Sequence, residues 1–233
     1  MIRQIAPRKF KDRIQAGRLL ATRLSAYADR SDVIVLALPR GGVPVAYEVA
    51  KALKAPLDVL IMRKLGVPYQ PELAMGAIAS GGIRVLNEDL LRYLEISPAE
   101  IEAVAAREQR ELERRERLYR GGRSMPEVRD RIVILVDDGI ATGTTMRSAV
   151  LALKQQRPAR ILIAVPTAAQ SSCDEYRADA ARMECVCLMT PEPFFAVGLW
   201  YENFSQTNDD EVRDLLASLT SNHPKLVGAS NGE

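Results

Sequence analysis

The groups best able to do chemistry lie in thirteen consecutive residues, Val133-Ile-Leu-Val-Asp-Asp-Gly-Ile-Ala-Thr-Gly-Thr-Thr145. An apolar run delivers two adjacent acids, then a Gly/Thr turn, then the start of a helix. The ends of parallel strands are where α/β proteins place ligands. A turn leading into a helix N-terminus exposes several backbone N–H groups, a natural phosphate cradle. Gly143 lets the backbone approach an anion closely, and Thr142, Thr144 and Thr145 add hydroxyl donors. Asp137 and Asp138 are acceptors only and cannot serve a phosphate. They suit vicinal ribose hydroxyls, or a magnesium ion near them.

This string resembles the 5-phosphoribosyl 1-pyrophosphate (PRPP) motif of type I phosphoribosyltransferases, almost position for position. The resemblance implies that Asp137 and Asp138 hold the ribose and a metal, and that Ala141, Thr142, Gly143, Thr144 and Thr145 hold the 5′-phosphate. It also implies a Rossmann-like α/β fold: a central parallel sheet flanked by helices, with a mobile loop and a small C-terminal hood. By the same resemblance, Leu38-Pro-Arg-Gly-Gly42 is a pyrophosphate loop, with Arg40 as cation and Gly41 exposing its amide. Arg63-Lys-Leu-Gly-Val-Pro68 resembles the start of the mobile loop in adenine-type members, so Arg63 and Lys64 are expected at the departing pyrophosphate. Pro193-Phe-Phe-Ala-Val-Gly198 resembles the hood of 6-oxopurine-type members. There Phe195 would stack on the acceptor with Val197 beside it, and Glu202 would meet a second magnesium. A plain reading of the hood stands beside this one: Phe195, Trp200 and Tyr201 could be packed core.

Two departures leave the acceptor open. Ala141 stands where 6-oxopurine members have an acid, as in the adenine-type motif, yet the hood is not adenine-like. A charged helix over 97–120 fits neither group. The resemblance therefore covers roughly residues 30–205.

The reaction the resemblance implies is magnesium-dependent transfer of phosphoribosyl from PRPP to a nitrogen acceptor, a nucleobase or similar heterocycle, with release of pyrophosphate. Asp137, Asp138, Arg63 and Lys64 would be its catalytic residues. No general base is evident, and Glu72 is the only acid of the loop. The alternative is a PRPP-sensing regulator without catalysis, binding RNA or protein, for which the arginines between Arg107 and Arg131 would be the surface. A PRPP-synthetase-type phosphotransferase would need an ATP site, and no GxxxxGK[ST] occurs.

The bulk properties agree with such an enzyme. The chain of 233 residues suits one domain over 1–233, and a net charge of +2 does not argue for nucleic acid. Three cysteines, Cys173, Cys185 and Cys187, make no disulfide framework and suit a reducing cytoplasm. The C-x-C pair reads as two residues on one strand face rather than a metal site, since the sole histidine, His223, lies in a polar tail. The basic N-terminus lacks a signal-peptide core, and no apolar run approaches the roughly 20 residues of a membrane span. Expected partners are therefore PRPP and a small nitrogen acceptor, without membrane or nucleic acid. Whether the chain forms a homodimer stays open.

These residues need elements to carry them. Helical spacing over 10–28 places Phe10, Ile14, Leu20 and Leu24 near one face. Apolar runs at 33–38 and 132–136 read as strands buried on both faces, with further strands expected at 57–62, 161–165 and 185–189 and a short one at 83–86. Helices are expected over 45–53, 144–154, 168–180 and 210–219. Residues 63–82, rich in Gly, Pro and Ser, read as a long loop forming a lid. Ser97-Pro-Ala-Glu100 is a capping box opening a helix to Arg120, closed by Gly121 and Gly122. Its charge marks it as a projecting or interface helix. The hood is expected at about 190–205, and the tail from about 221 is expected to be disordered.

Overall fold

The computed structural model describes residues 9–178 and 183–220; the tail beyond 220, including His223, lies outside them. Five short apolar strands form the sheet: β1 (Val33–Ala37), β2 (Leu57–Val59), β6 (Ile132–Val136), β7 (Arg160–Thr167) and β8 (Met183–Met189). All four neighbouring pairs are parallel, in the order β2-β1-β6-β7-β8. Because side chains alternate along a strand, each strand feeds two cores. Val33, Val35, Ile134 and Leu162 face one side, while Ile34, Leu36, Leu135 and Ile163 face the other. Helices α1 (Arg13–Arg23), α2 (Gly42–Leu53) and α7 (Asp209–Thr220) cover the first face. Helices α5 (Thr144–Gln155) and α6 (Gln170–Ala178) cover the second.

The strand order matters for ligand binding. After β1 the chain crosses through α2 to β2 on one side, and after β6 it crosses through α5 to β7 on the other. The order reverses between β1 and β6, and the crevice beyond the carboxyl ends at such a switch point is where open sheets bind ligands. The Leu38–Gly42 and Asp137–Thr145 loops leave adjacent strands at this crevice, and Leu38 N donates to Val136 O at 2.9 Å.

Several expectations change. The segment 63–82 is not an irregular loop. It forms β3 (Met62–Val67) and β4 (Gln70–Ala79), antiparallel and joined through Tyr69, with β5 (Ile83–Leu86) on the other edge of β4. Gly66, Pro68, Pro71 and Gly76 hid the hairpin, but Gly66 marks an irregular register and Leu65, Met75 and Ile78 pack into the core. Met62 accordingly opens β3 rather than ending β2. A six-residue helix, α3 (Glu88–Tyr93), capped by Asn87, was not foreseen.

The long helix α4 (Pro98–Arg120) keeps its expected bounds, its capping box and a left-handed Gly121 cap. It does not project. Val104, Ala105, Glu108, Leu112, Tyr119 and Arg120 are buried, facing the hairpin and α7. Charge count misled because several charges are internal. Arg120, 2% exposed, gives Nε to Asp58 Oδ1 at 3.0 Å, one terminal nitrogen to Glu116 at 2.6 Å, and the other to Val59 O and Ser80 Oγ. Ile14, expected on the buried face of the first helix, is 45% exposed.

Candidate active site

The Asp pair is partly buried because it sits at the end of a central strand. Asp137 Oδ1 accepts the Asp138 N–H at 2.8 Å. Lost hydration pushes the Asp137 carboxyl well above its ordinary range, and the charge of Asp138 adds to the effect. Burial also raises Asp138, but Arg13 opposes it. Arg13, from α1, donates Nε to Asp138 Oδ2 at 2.8 Å, and a terminal nitrogen of its guanidinium lies 2.8 Å from the same oxygen. Its plane lies over Phe204, 3.9 Å from the ring centroid, and its third nitrogen meets Ser205 O at 2.7 Å. Tyr201 O–H donates to Asp138 O at 2.6 Å. Sequence reading missed Arg13, which sits 125 positions from its partner with no motif around it. Only the requirement that a buried carboxylate find a cation could have pointed to it.

The Leu38–Gly42 turn closes tightly on this pair. The Pro39–Arg40 peptide is cis. A Cβ on Gly41 would collide with Asp138 Oδ2, so only glycine permits the approach. Arg40, partly exposed, reaches Asp209 Oδ1 at 3.5 Å.

The segment expected to hold the 5′-phosphate forms the turn into α5. Gly143 has φ of 72° and caps α5 from the left-handed region. Thr142, Thr144 and Thr145 are exposed around it, as is Ala141. The outer wall is braced from α6: Ser172 Oγ donates to Ala141 O and Tyr176 O–H to Gly143 O, each at 3.1 Å. Arg147, also unforeseen, gives a terminal nitrogen to Thr142 O at 2.7 Å while pairing with Glu175.

The remaining candidates sit further out. Arg63 gives Nε and a terminal nitrogen to Glu108 Oε2 at 2.9 and 2.6 Å. Lys64 pairs across the hairpin with the backbone carbonyl of Glu72. Phe195 is 76% exposed, so the packed-core reading does not hold for it. Phe194 instead stacks on Trp200, and Tyr201 packs on Phe10. Val197 lies against Gly139, where a Cβ would come within 2.5 Å of Val197 Cγ1. The hood is tied to the N-terminal segment by Phe10 N to Trp200 O and Glu202 N to Phe10 O, at 2.9 and 2.8 Å. Glu202 itself is exposed. Among the described residues no three His, Cys, Asp or Glu side chains are placed to hold a metal together.

The three cysteines carry no disulfide, and Cys173 and Cys185 lie with sulfurs 3.7 Å apart under α6. No helix among the described residues is long and apolar enough to cross a membrane.

A central parallel sheet flanked by helices, with an acid pair and a glycine-capped helix start at its switch point, defines a phosphoribosyltransferase-type fold. The chain belongs to the phosphoribosyl transferase domain family, whose match spans residues 9–199. It is 49% identical over 203 residues, 87% of its length, to two Mycobacterium tuberculosis proteins provisionally named phosphoribosyl transferases. It spans 45% of the length of those relatives. Among solved structures it is similar to TT1426 from Thermus thermophilus, with TM-score 0.78 and 41% identity, covering 91% of this chain and 99% of that one. The AQ2163 protein from Aquifex aeolicus shares the fold at TM-score 0.50 and 11% identity, over 88% of this chain and 84% of that one.

Proposed function

We propose that the protein transfers the phosphoribosyl group of PRPP to a nitrogen atom of a heterocyclic acceptor, with pyrophosphate leaving from C1. The observation that carries this reading is the acid pair at the end of β6, set between a glycine-capped helix start and an arginine-bearing turn. Those three parts match the three parts of PRPP in order: 5′-phosphate, ribose and pyrophosphate.

In this reading the exposed amides and hydroxyls of Ala141–Thr145 bind the 5′-phosphate at the N-terminus of α5. Asp137 and Asp138 accept from the ribose hydroxyls and orient the ring, which lowers the entropic part of the barrier. As the C1–O bond to pyrophosphate breaks, positive charge grows on the ribose and negative charge on the leaving group. Arg40, Arg63 and Lys64 stabilise the latter. The acceptor nitrogen forms the new bond at C1, with Phe195 as an exposed stacking surface and Val197 beside it.

Magnesium fits the donor set. Asp137 and Asp138 offer hard carboxylate oxygens that would hold such an ion. When bound, it would neutralise charge on the departing pyrophosphate.

The test is incubation with PRPP, magnesium and a panel of nucleobases and related heterocycles, scored by pyrophosphate release. Release dependent on one acceptor supports the transferase. Tight PRPP binding with no turnover on any acceptor would replace it with the regulatory reading.

A further inference from the structure

Helix α4 touches the cations of the pyrophosphate region twice. Glu108, its side chain 12% exposed, takes two nitrogens of Arg63 on one oxygen, while Arg107 Nε reaches the other at 3.1 Å. Near the helix end the buried Tyr119 donates its O–H to Asp209 Oδ1 at 2.5 Å, and Asp209 in turn meets Arg40. The O–H of Tyr119 and the guanidinium of Arg40 therefore share one oxygen atom. Arg40 follows β1 and Arg63 follows β2, adjacent strands whose carboxyl ends open on the same edge of the sheet. Two arginines at that edge are thus each held by a carboxylate, and both carboxylates are fixed by one helix. Asp209 is additionally at home as the first residue of α7, where the helix dipole favours an acid.

We propose that Glu108 and Asp209 are exchangeable counter-ions that occupy Arg63 and Arg40 until pyrophosphate displaces them. This rests on the assignment of both arginines to the pyrophosphate. A guanidinium binds carboxylates and phosphates through the same flat donor edge, so a carboxylate on that edge competes directly with a phosphate oxygen. The exchange keeps the cations partnered while the site is empty. It also lowers affinity for free pyrophosphate and so favours its departure after transfer. The Tyr119 hydrogen bond stabilises the Asp209 carboxylate and limits how tightly it grips Arg40. The charged helix that fits neither of the two resembled subgroups thereby acquires a role: it sets pyrophosphate affinity without touching the ligand.

The test is calorimetry on the intact chain with magnesium pyrophosphate, magnesium PRPP and ribose 5-phosphate, using Glu108→Gln, Asp209→Asn and the control Asp210→Asn. Asp210 is paired with Arg213, so its variant removes the same charge one position along without freeing Arg40. Glu108→Gln and Asp209→Asn are expected to tighten pyrophosphate and PRPP by roughly threefold to tenfold. Ribose 5-phosphate affinity and the Asp210→Asn variant should match the parent. Unchanged or weaker pyrophosphate binding by folded variants would overturn the proposal. Equal tightening in Asp210→Asn, or of ribose 5-phosphate, would overturn it too, by showing a general charge effect. If Glu108→Gln does not fold, Asp209→Asn decides alone, since its side chain is 37% exposed and its loss threatens the core little. Failure of the parent itself to bind PRPP or pyrophosphate would refute the PRPP reading as well, and is told apart by that.

Discussion

Arg13 and Asp138 stand 125 positions apart, yet the guanidinium of one closes on a single oxygen of the other through two contacts of 2.8 Å. The first helix is thereby part of the site floor. Replacing Arg13 with Ala leaves Asp138 in a low-polarity setting without its cation. Breaking a buried pair from one side costs roughly 3–5 kcal/mol, an upper bound here because Asp138 can take up a proton. The expected result is a lower melting temperature in thermal scans. With the Arg13 charge gone the Asp138 carboxyl rises further, so the pH midpoint for PRPP binding should move to higher pH in calorimetric titrations. An unmoved midpoint would mean that Asp138 does not contribute its charge to the ribose site.

Asp137 should show the opposite trade between stability and function. Its folded-state pKa is raised by burial and by its neighbour, so the folded protein binds a proton that the unfolded chain releases. Stability from this group is fully present below the ordinary carboxylate range and is lost as pH rises through the folded value. At neutral pH the raised pKa therefore costs stability, whichever form the group takes in the fold. Asp137→Asn keeps an oxygen for the Asp138 N–H and removes that cost. Its melting temperature at pH 7 is expected to match or exceed the parent's, with a flatter decline on raising pH, while PRPP affinity falls by at least about tenfold. Combined with Asp138→Asn, PRPP binding should be nearly lost in a folded protein. Undiminished affinity in that double variant would remove the ribose assignment.

The hairpin invites a hydrogen-exchange measurement. Leu65 and Met75 are fully buried and Ile78 nearly so, whereas Tyr69 at the turn is 98% exposed. Exchange should therefore divide within the segment. Amides of 62–66 and 75–79 are expected to be protected in the free protein. Those of 69–74 should exchange quickly and slow on adding magnesium PRPP. Uniform fast exchange across 62–79 would contradict the strand pairing.

Much of this was readable because local rules and tertiary demands agree. Apolar runs such as Val33–Ala37 and Ile132–Val136 can only be buried on both faces, and Ser97 with Glu100 announces α4 by reciprocal capping. The Asp137–Thr145 turn was legible as a strand-to-helix turn because Gly143 supplies the left-handed residue that caps α5. The parts that stayed hidden depend on partners far along the chain. The ladder between β3 and β4 forms through Gly- and Pro-containing strands whose side chains give little β signal, so pairing overrode propensity. The burial of α4 rests on Val104, Leu112 and Tyr119 packing into the core and on Arg120 meeting Asp58 and Ser80, and the many charges around that thin apolar stripe masked it. Arg13 and Arg147 reach the site only once α1 and α5 are packed.

Phe195 tests the acceptor side. The two readings of the hood differ in whether this ring is packed or offered to a ligand, and its 76% exposure favours the second. The packed members of the hood are its neighbours, Phe194 on Trp200 and Tyr201 on Phe10. Truncating a buried Phe to Ala typically costs roughly 3–5 kcal/mol. An exposed ring has few contacts to lose, so Phe195→Ala should melt close to the parent. If the ring stacks on the acceptor, its loss should weaken acceptor binding by roughly 1–3 kcal/mol. PRPP affinity should hold, because the cradle and acid pair are carried by β6 and α5. Thermal melting beside separate PRPP and acceptor titrations distinguishes these effects. A variant that binds the acceptor normally, whatever its melting temperature, would place the acceptor elsewhere in the crevice.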